Sequence, residues 1–156
     1  MRTFSFSALL LAGLSQAGAP LQAQRAVGYF VEAAGSGGFG SLNIEFRPTE
    51  RLRLRGGVGL ILAYPTMPFA ATVALGRGRR AVEVGAGATL MFFPHWDDLG
   101  VEFEDRTDLR SVVVPSAVLA YRYESPTGYF FRVGLTPFFP RGHPFFWGGI
   151  SFGGAF

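Results

Sequence analysis

The two histidines are the first candidates for chemistry, because an imidazole can act as a general base or bind a metal ion. His95 lies in the run PHWDD and His143 in the run GHPFF. Asp97 and Asp98 could orient His95, but no serine lies two residues from either histidine. Acid–base catalysis needs a nucleophile, a base and an orienting acid within hydrogen-bond reach. No spacing in the sequence indicates such a site, so we predict that the protein is not an enzyme.

An acidic run over residues 94–108 could also bind ligands, because carboxylate oxygens suit Ca²⁺. Its spacing matches no EF-hand loop. We therefore predict a solvated loop, with no metal site and no cofactor. The carboxylates concerned are Asp97, Asp98, Glu102, Glu104, Asp105 and Asp108.

Arginine and glutamate elsewhere alternate with apolar residues at a period of two. In RLRLRGGVGL, Leu52 and Leu54 share one face while Arg53 and Arg55 share the other. This alternation is typical of a β-strand with one apolar and one polar face.

Eight segments have the length of a membrane-crossing strand, which is about 9–11 residues. No window after residue 24 has the 18 consecutive apolar residues typical of a spanning helix. Backbone groups inside a bilayer must be hydrogen-bonded internally, so a closed barrel remains. The predicted fold is all-β, an eight-stranded antiparallel up-and-down transmembrane β-barrel. The segments are 26–36, 39–48, 51–63, 68–76, 80–93, 110–123, 128–138 and 145–156.

The polar face of these strands would line the barrel lumen, which eight strands make just wide enough for side chains. Buried charges must be paired, so we predict an ion-pair network that fills the lumen. A narrow, porin-like solute channel is the alternative. The predicted network residues are Glu32, Glu45, Glu83, Arg53, Arg55, Arg122 and Arg132, with Asn43 and Thr89 on the same face.

The first two dozen residues have the pattern of a secretory signal peptide: an early arginine, a short apolar core and small residues near Ala23. We predict a signal peptide over residues 1–23 and the barrel domain over 24–156. The chain has no cysteine and a formal net charge of +3. It therefore has neither a disulfide framework nor the concentrated basic face of a nucleic-acid-binding protein.

The last segment, FFWGGISFGGAF, places Phe146, Ile150, Phe152 and Phe156 on one face. It resembles the C-terminal strand signature of bacterial outer-membrane barrels. Runs such as SLNIEF, LRLRGGVG and YRYESPTGYFFRVGLTPFF also resemble those of small outer-membrane proteins with no established activity. The resemblance implies an outer-membrane location, contact with outer-membrane lipid and lipopolysaccharide, and recognition of Phe152 and Phe156 by the barrel-assembly machinery. The implied role is structural or based on surface interactions.

Two further alternatives follow from the same patterns. A soluble lipocalin-like barrel would point the leucine face inward and bind an apolar ligand. Some small outer-membrane barrels modify lipid A, which would make the protein an enzyme. Aromatic residues near the strand ends favour the membrane barrel, because they are typical of interface girdles. These residues are Tyr29, Tyr64, Trp96, Tyr121, Tyr123, Tyr129 and Trp147.

Overall fold

A computed structural model of the chain describes residues 26–94, 109–140 and 143–156. The predicted signal peptide, His95, Trp96 and nearly all of the acidic run lie outside these described residues. Within the described ranges, none of the helical segments has the length and hydropathy of a membrane span.

The described chain forms a closed barrel in which each strand pairs with its sequence neighbours and β1 pairs with β8. All eight pairings are antiparallel. The predicted fold class is therefore confirmed. The strands are β1 (Val27–Ala34), β2 (Gly40–Phe46), β3 (Leu52–Ile61), β4 (Tyr64–Arg77), β5 (Arg80–Pro94), β6 (Leu109–Glu124), β7 (Tyr129–Phe138) and β8 (Phe145–Ala155).

Most strand boundaries differ from the prediction by one or two residues, and the largest difference is at the start of β4. Strand β4 begins at Tyr64 rather than at residue 68, and it carries Pro65 and Pro68 within it. Strand β1 ends at Ala34, and a 3₁₀ turn, η1 (Gly35–Gly37), follows it. Gly35 has φ +84°, a backbone conformation that glycine adopts without steric cost. The chain therefore leaves the barrel wall after Ala34, whereas the sequence pattern predicted that the strand continues to residue 36.

Short connections lie at the end of the barrel where β1 begins and β8 ends, which we call the proximal end. Residues 47–51, Gly78–Arg79 and 125–128 make these turns. Gly78 has φ +70°, which suits a two-residue hairpin loop. The opposite, distal end carries η1 and the connections β3–β4, β5–β6 and β7–β8.

The strands are staggered around the barrel. Following the paired residues around the barrel from Gly28 on β1, through β2 to β7, leads to Phe145 on β8. Across the closing seam, however, Gly28 pairs with Ala155. The stagger is thus ten residues. Eight strands with a stagger of this kind tilt strongly and enclose an interior that side chains can fill.

The two faces of the wall have opposite chemistry. Outward-facing apolar side chains are exposed on every strand, including Leu42 at 62 % and Val58 at 55 %. Buried charged and hydroxyl side chains face inward between them, including Glu45 and Thr72. The lipocalin-like alternative, which placed the leucines inside, is therefore wrong.

The predicted aromatic girdle is present in part. Tyr29, Tyr121, Tyr123 and Tyr129 are exposed on the outer face near the proximal end. The ring of Tyr29 stacks on that of Phe156 with centroids 5.2 Å apart. The assignment of Trp147 to the girdle is wrong, because its parity in β8 turns it inward, where it packs against the buried residues Met91, Val114 and Phe138.

Candidate functional site

The structure places all seven predicted network residues in the lumen, each no more than 8 % exposed. They are brought together because each lies on the inward parity of its strand and most lie near the proximal end. Arg53 is the second residue of β3, and Glu45 is next to last in β2. The charged residues thus form one cluster in the proximal half of the barrel, which we call the lumen network.

Glu45 is one of its two central carboxylates and is fully buried. Its oxygens accept hydrogen bonds from Arg55 Nε at 3.0 Å and from Arg122 Nη1 at 2.8 and 3.0 Å. Arg47 Nε donates a further bond to Oε1 at 2.8 Å. Three guanidinium groups therefore share one carboxylate, and charge-assisted bonds of this kind are stronger than neutral ones.

Glu83 is the second central carboxylate and is also fully buried. It accepts hydrogen bonds from Arg55 Nη2 and from Arg132 Nε, the latter at 3.1 Å. Arg122 and Arg132 are directly paired across β6 and β7, where like charges repel. Arg122 Nη1 lies 3.4 Å from Glu83 Oε1. The Glu83 carboxylate therefore contacts both cations and offsets the repulsion between them.

Glu32 extends the network toward the distal end. Its Oε1 accepts hydrogen bonds from Arg132 Nη1 at 2.8 Å and from the Ser151 hydroxyl at 3.1 Å. Its Oε2 accepts from both the backbone N–H and the hydroxyl of Ser36 in η1. One carboxylate therefore links the proximal network to the turn at the other end of the lumen.

Besides Ser36 and Ser151, sequence reasoning missed two charged and two aromatic members of this interior. Arg47 and Glu124 join the network at its proximal edge, with Arg47 Nη1 donating to Glu124 Oε1 at 3.0 Å. Burial alone would lower the pKa of Arg47, but the hydrogen bond to Glu124 and the charge of Glu45 raise it. The rings of Phe30 and Phe130 are the other two, with Arg122 stacked over Phe130 at 3.5 Å. Strand parity could have predicted that both rings face inward, because Phe30 lies on the same face of β1 as Glu32, and Phe130 lies on the same face of β7 as Arg132.

The distal half of the lumen is occupied by η1, which folds inward from the β1–β2 connection. Thr66 on β4 donates a hydrogen bond to the Gly37 carbonyl at 2.7 Å, and Thr89 on β5 donates to the Ser36 carbonyl at 2.8 Å. A Cβ at Gly149 would lie 2.7 Å from Cα of Gly35. We call this inward turn the distal plug, and glycine at both positions lets it fit against β8.

A cluster of buried apolar side chains also lies in the distal half of the lumen. Met91, Val114 and Phe138 form a buried cluster, against which Ile61 and Trp147 pack. Hydroxyl side chains lie among them, and the predicted lumen residue Thr89 is 1 % exposed. Among the described residues, packed side chains and the plug therefore occupy the distal lumen, and ion-paired side chains occupy the proximal lumen.

The outer wall carries an apolar groove of about 730 Å³ across β1–β4, β7 and β8. It is lined mainly by outward-facing residues such as Ile44, Val58 and Phe69, and glycines form its floor. The groove is therefore part of the apolar outer face of the wall and not of the lumen.

The candidate residues His143, Phe152 and Phe156 do not join the lumen network. His143 is exposed at the distal end. Phe152 lies on the outer face of β8 at 57 % exposure, and Phe156, which directly follows β8, is 66 % exposed. Within the described ranges, no three His, Cys, Asp or Glu side chains are grouped as metal ligands would be.

Comparison with known proteins bears on the fold alone. No protein-family model matches the chain, and no curated protein sequence matches it. Among solved structures, the chain is similar to the N-terminal β-barrel domain of Pseudomonas aeruginosa OprF, with a TM-score of 0.61 and 12 % sequence identity. The match covers 83 % of this chain and 95 % of that one. The chain thus has the fold of an outer-membrane β-barrel domain.

Proposed function

We propose that the protein is an integral outer-membrane barrel with a structural or surface-interaction role and a closed lumen. The observation that carries this proposal is the inverted wall, with exposed apolar side chains outside and a paired Arg/Glu network inside. Such a wall is favourable only where lipid replaces water around it. The similarity to the OprF barrel supports the same environment.

The proposed orientation puts the proximal end in the periplasm and the distal end outside the cell. Short turns are typical of the periplasmic side of such barrels and longer loops of the external side. The outward tyrosines near the proximal end would then lie at the inner interface of the outer membrane, in contact with lipid headgroups. Lipopolysaccharide would surround the distal half, and the distal connections would form the interaction surface.

A closed lumen predicts that the purified barrel conducts no ions in planar bilayers. The distal plug and the lumen network both obstruct the axis, so the expected trace is flat under conditions in which a porin gives discrete steps. The experiment measures single-channel current across voltages of both signs, with the refolded barrel and with a porin as positive control.

Discrete steps from the wild-type barrel would favour the narrow-channel alternative. A double variant, Thr66→Val with Thr89→Val, removes the two threonine hydrogen bonds to carbonyl groups of the distal plug. Steps that change in amplitude in this variant would show that ions pass through the lumen and would overturn the closed-lumen proposal.

We propose further that β8 is the strand that the barrel-assembly machinery recognises, through Phe152 and Phe156. Replacing Phe156 by serine should lower the amount of barrel in the outer membrane several-fold, because the variant loses the aromatic at the proximal end of the proposed recognition strand. The matched control is Phe146→Ser, which makes the same change at the distal end of the same strand. Quantitative blotting of outer-membrane fractions measures both, and equal levels of the two variants would contradict the proposed role of Phe156.

The protein is proposed to act without catalysis. Of the two histidines, His143 is exposed at the distal end, and no hydrogen bond or ion pair links it to the lumen network among the described residues. Unchanged lipid A acyl chains in cells with and without the protein are the expected result.

A further inference from the structure

We propose that the proximal lumen binds one small monovalent inorganic anion, with chloride as the probe, among Arg47, Arg53 and Arg122. The proposal starts from the charges whose side chains the structure describes inside the barrel. They are five arginines and four glutamates: Arg47, Arg53, Arg55, Arg122 and Arg132 against Glu32, Glu45, Glu83 and Glu124. One positive charge in this set therefore has no counterpart.

The surplus charge cannot be lost by titration, because a guanidinium group stays protonated in proteins. A buried charge without a partner is strongly unfavourable. Water could accept hydrogen bonds from the guanidinium groups, but it would not neutralise them. An anion does both.

Guanidinium nitrogens that lack a hydrogen-bond acceptor indicate where the anion binds. Four buried guanidinium nitrogens have no hydrogen-bond acceptor among the described residues, and all belong to three arginines of the proximal lumen: Arg47 Nη2, Arg53 Nε, and Arg122 Nε and Nη2. Arg53 is 7 % exposed and Arg122 is 1 % exposed. The contacts of Arg53 with the carboxylates are also long, at 3.4 Å to Glu83 and 3.8 Å to Glu45.

All three arginines lie near the same atom, Glu45 Oε1, and are therefore close to one another. Glu45 Oε1 lies 2.8 Å from Arg47 Nε, 3.0 Å from Arg122 Nη1 and 3.8 Å from Arg53 Nε. Glu124 lies beside two of them, 3.0 Å from Arg47 Nη1 and 3.3 Å from Arg122 Nη2. These carboxylates disfavour a multivalent anion, and the narrow interior disfavours a large one.

The test compares the stability of the refolded barrel in chloride and in gluconate at equal ionic strength. Gluconate is too bulky for the lumen, and equal ionic strength screens the protein charges equally in both salts. A difference in stability therefore reports binding of chloride inside the barrel. A ligand that binds only the folded state raises the ratio of folded to unfolded protein by a factor of one plus its concentration over Kd. The expected gain is therefore about a hundredfold at a chloride concentration of 100 Kd.

Two variants locate the effect. Arg53→Gln removes the surplus cation and should abolish the difference between chloride and gluconate. Arg80→Gln removes an exposed arginine at the same end and should retain it. Equal stability of the wild type in the two salts, or an undiminished chloride effect in Arg53→Gln, would overturn the proposal.

A second measurement does not depend on the variants refolding. Crystals of the wild-type barrel grown in bromide should show anomalous density within hydrogen-bond distance of the guanidinium groups of Arg53 and Arg122. A proximal lumen with no anomalous density in bromide would also overturn the proposal.

Discussion

Replacing Glu45 by glutamine is expected to lower the free energy of unfolding by about 3–5 kcal/mol, the usual result of breaking a buried ion pair on one side. Three guanidinium groups donate hydrogen bonds to this carboxylate. Glutamine keeps the size of the side chain but leaves those cations without a central anion. Urea unfolding of the refolded barrel in detergent or lipid vesicles measures the difference.

The matched control is Glu50→Gln, which makes the same change in the exposed β2–β3 turn and should alter stability by about 0.5 kcal/mol or less. Adding Arg53→Gln to Glu45→Gln removes a fourth nearby cation, whose Nε lies 3.8 Å from Glu45 Oε1, and should recover part of the loss. Similar stabilities of the Glu45 and Glu50 variants would show that the lumen network does not hold the barrel together.

Replacing Leu42 by arginine is expected to be the most harmful change on the outer face. Leu42 is 62 % exposed and pairs with Val31 and Val58, near the middles of β1 and β3. A lipid-facing arginine at the midplane of a bilayer costs about 2–4 kcal/mol. Refolding and unfolding in lipid vesicles measure this loss.

Leu42→Ala is the matched control, since it removes apolar surface from the lipid without adding charge. It should cost roughly 1–2 kcal/mol, clearly less than the arginine variant. If both variants were equally stable in vesicles, Leu42 would not face lipid, and the proposed membrane environment of the wall would be wrong.

The wall of the barrel could be predicted because its two faces differ so strongly in chemistry. A period of two in β2, β3, β5 and β7 fixes which side chains share a face, and a shift by one residue would exchange the faces. The same parity placed Glu45, Glu83 and Arg132 together in the lumen. Trp147 was assigned by residue type instead of parity, and that assignment was wrong.

The interior contents were less predictable, because they depend on contacts between distant strands. Nothing local in the run GSGG indicates that η1 turns inward to meet Thr66 and Thr89 across the lumen. Glu124 lies at the start of a turn, where an exposed carboxylate is common, yet it contacts Arg47, which is 77 positions away. The partners of each arginine follow from barrel stagger and side-chain length, which no period in the sequence encodes.

The mobility of the refolded barrel on a detergent gel, with and without boiling, tests the central claim most directly. A closed barrel with an apolar outer face should stay folded in detergent and migrate differently from the boiled chain. Conversely, a chain that stays soluble without detergent and migrates identically before and after boiling would contradict the account, because its apolar face would then have to be shielded from water in some other way.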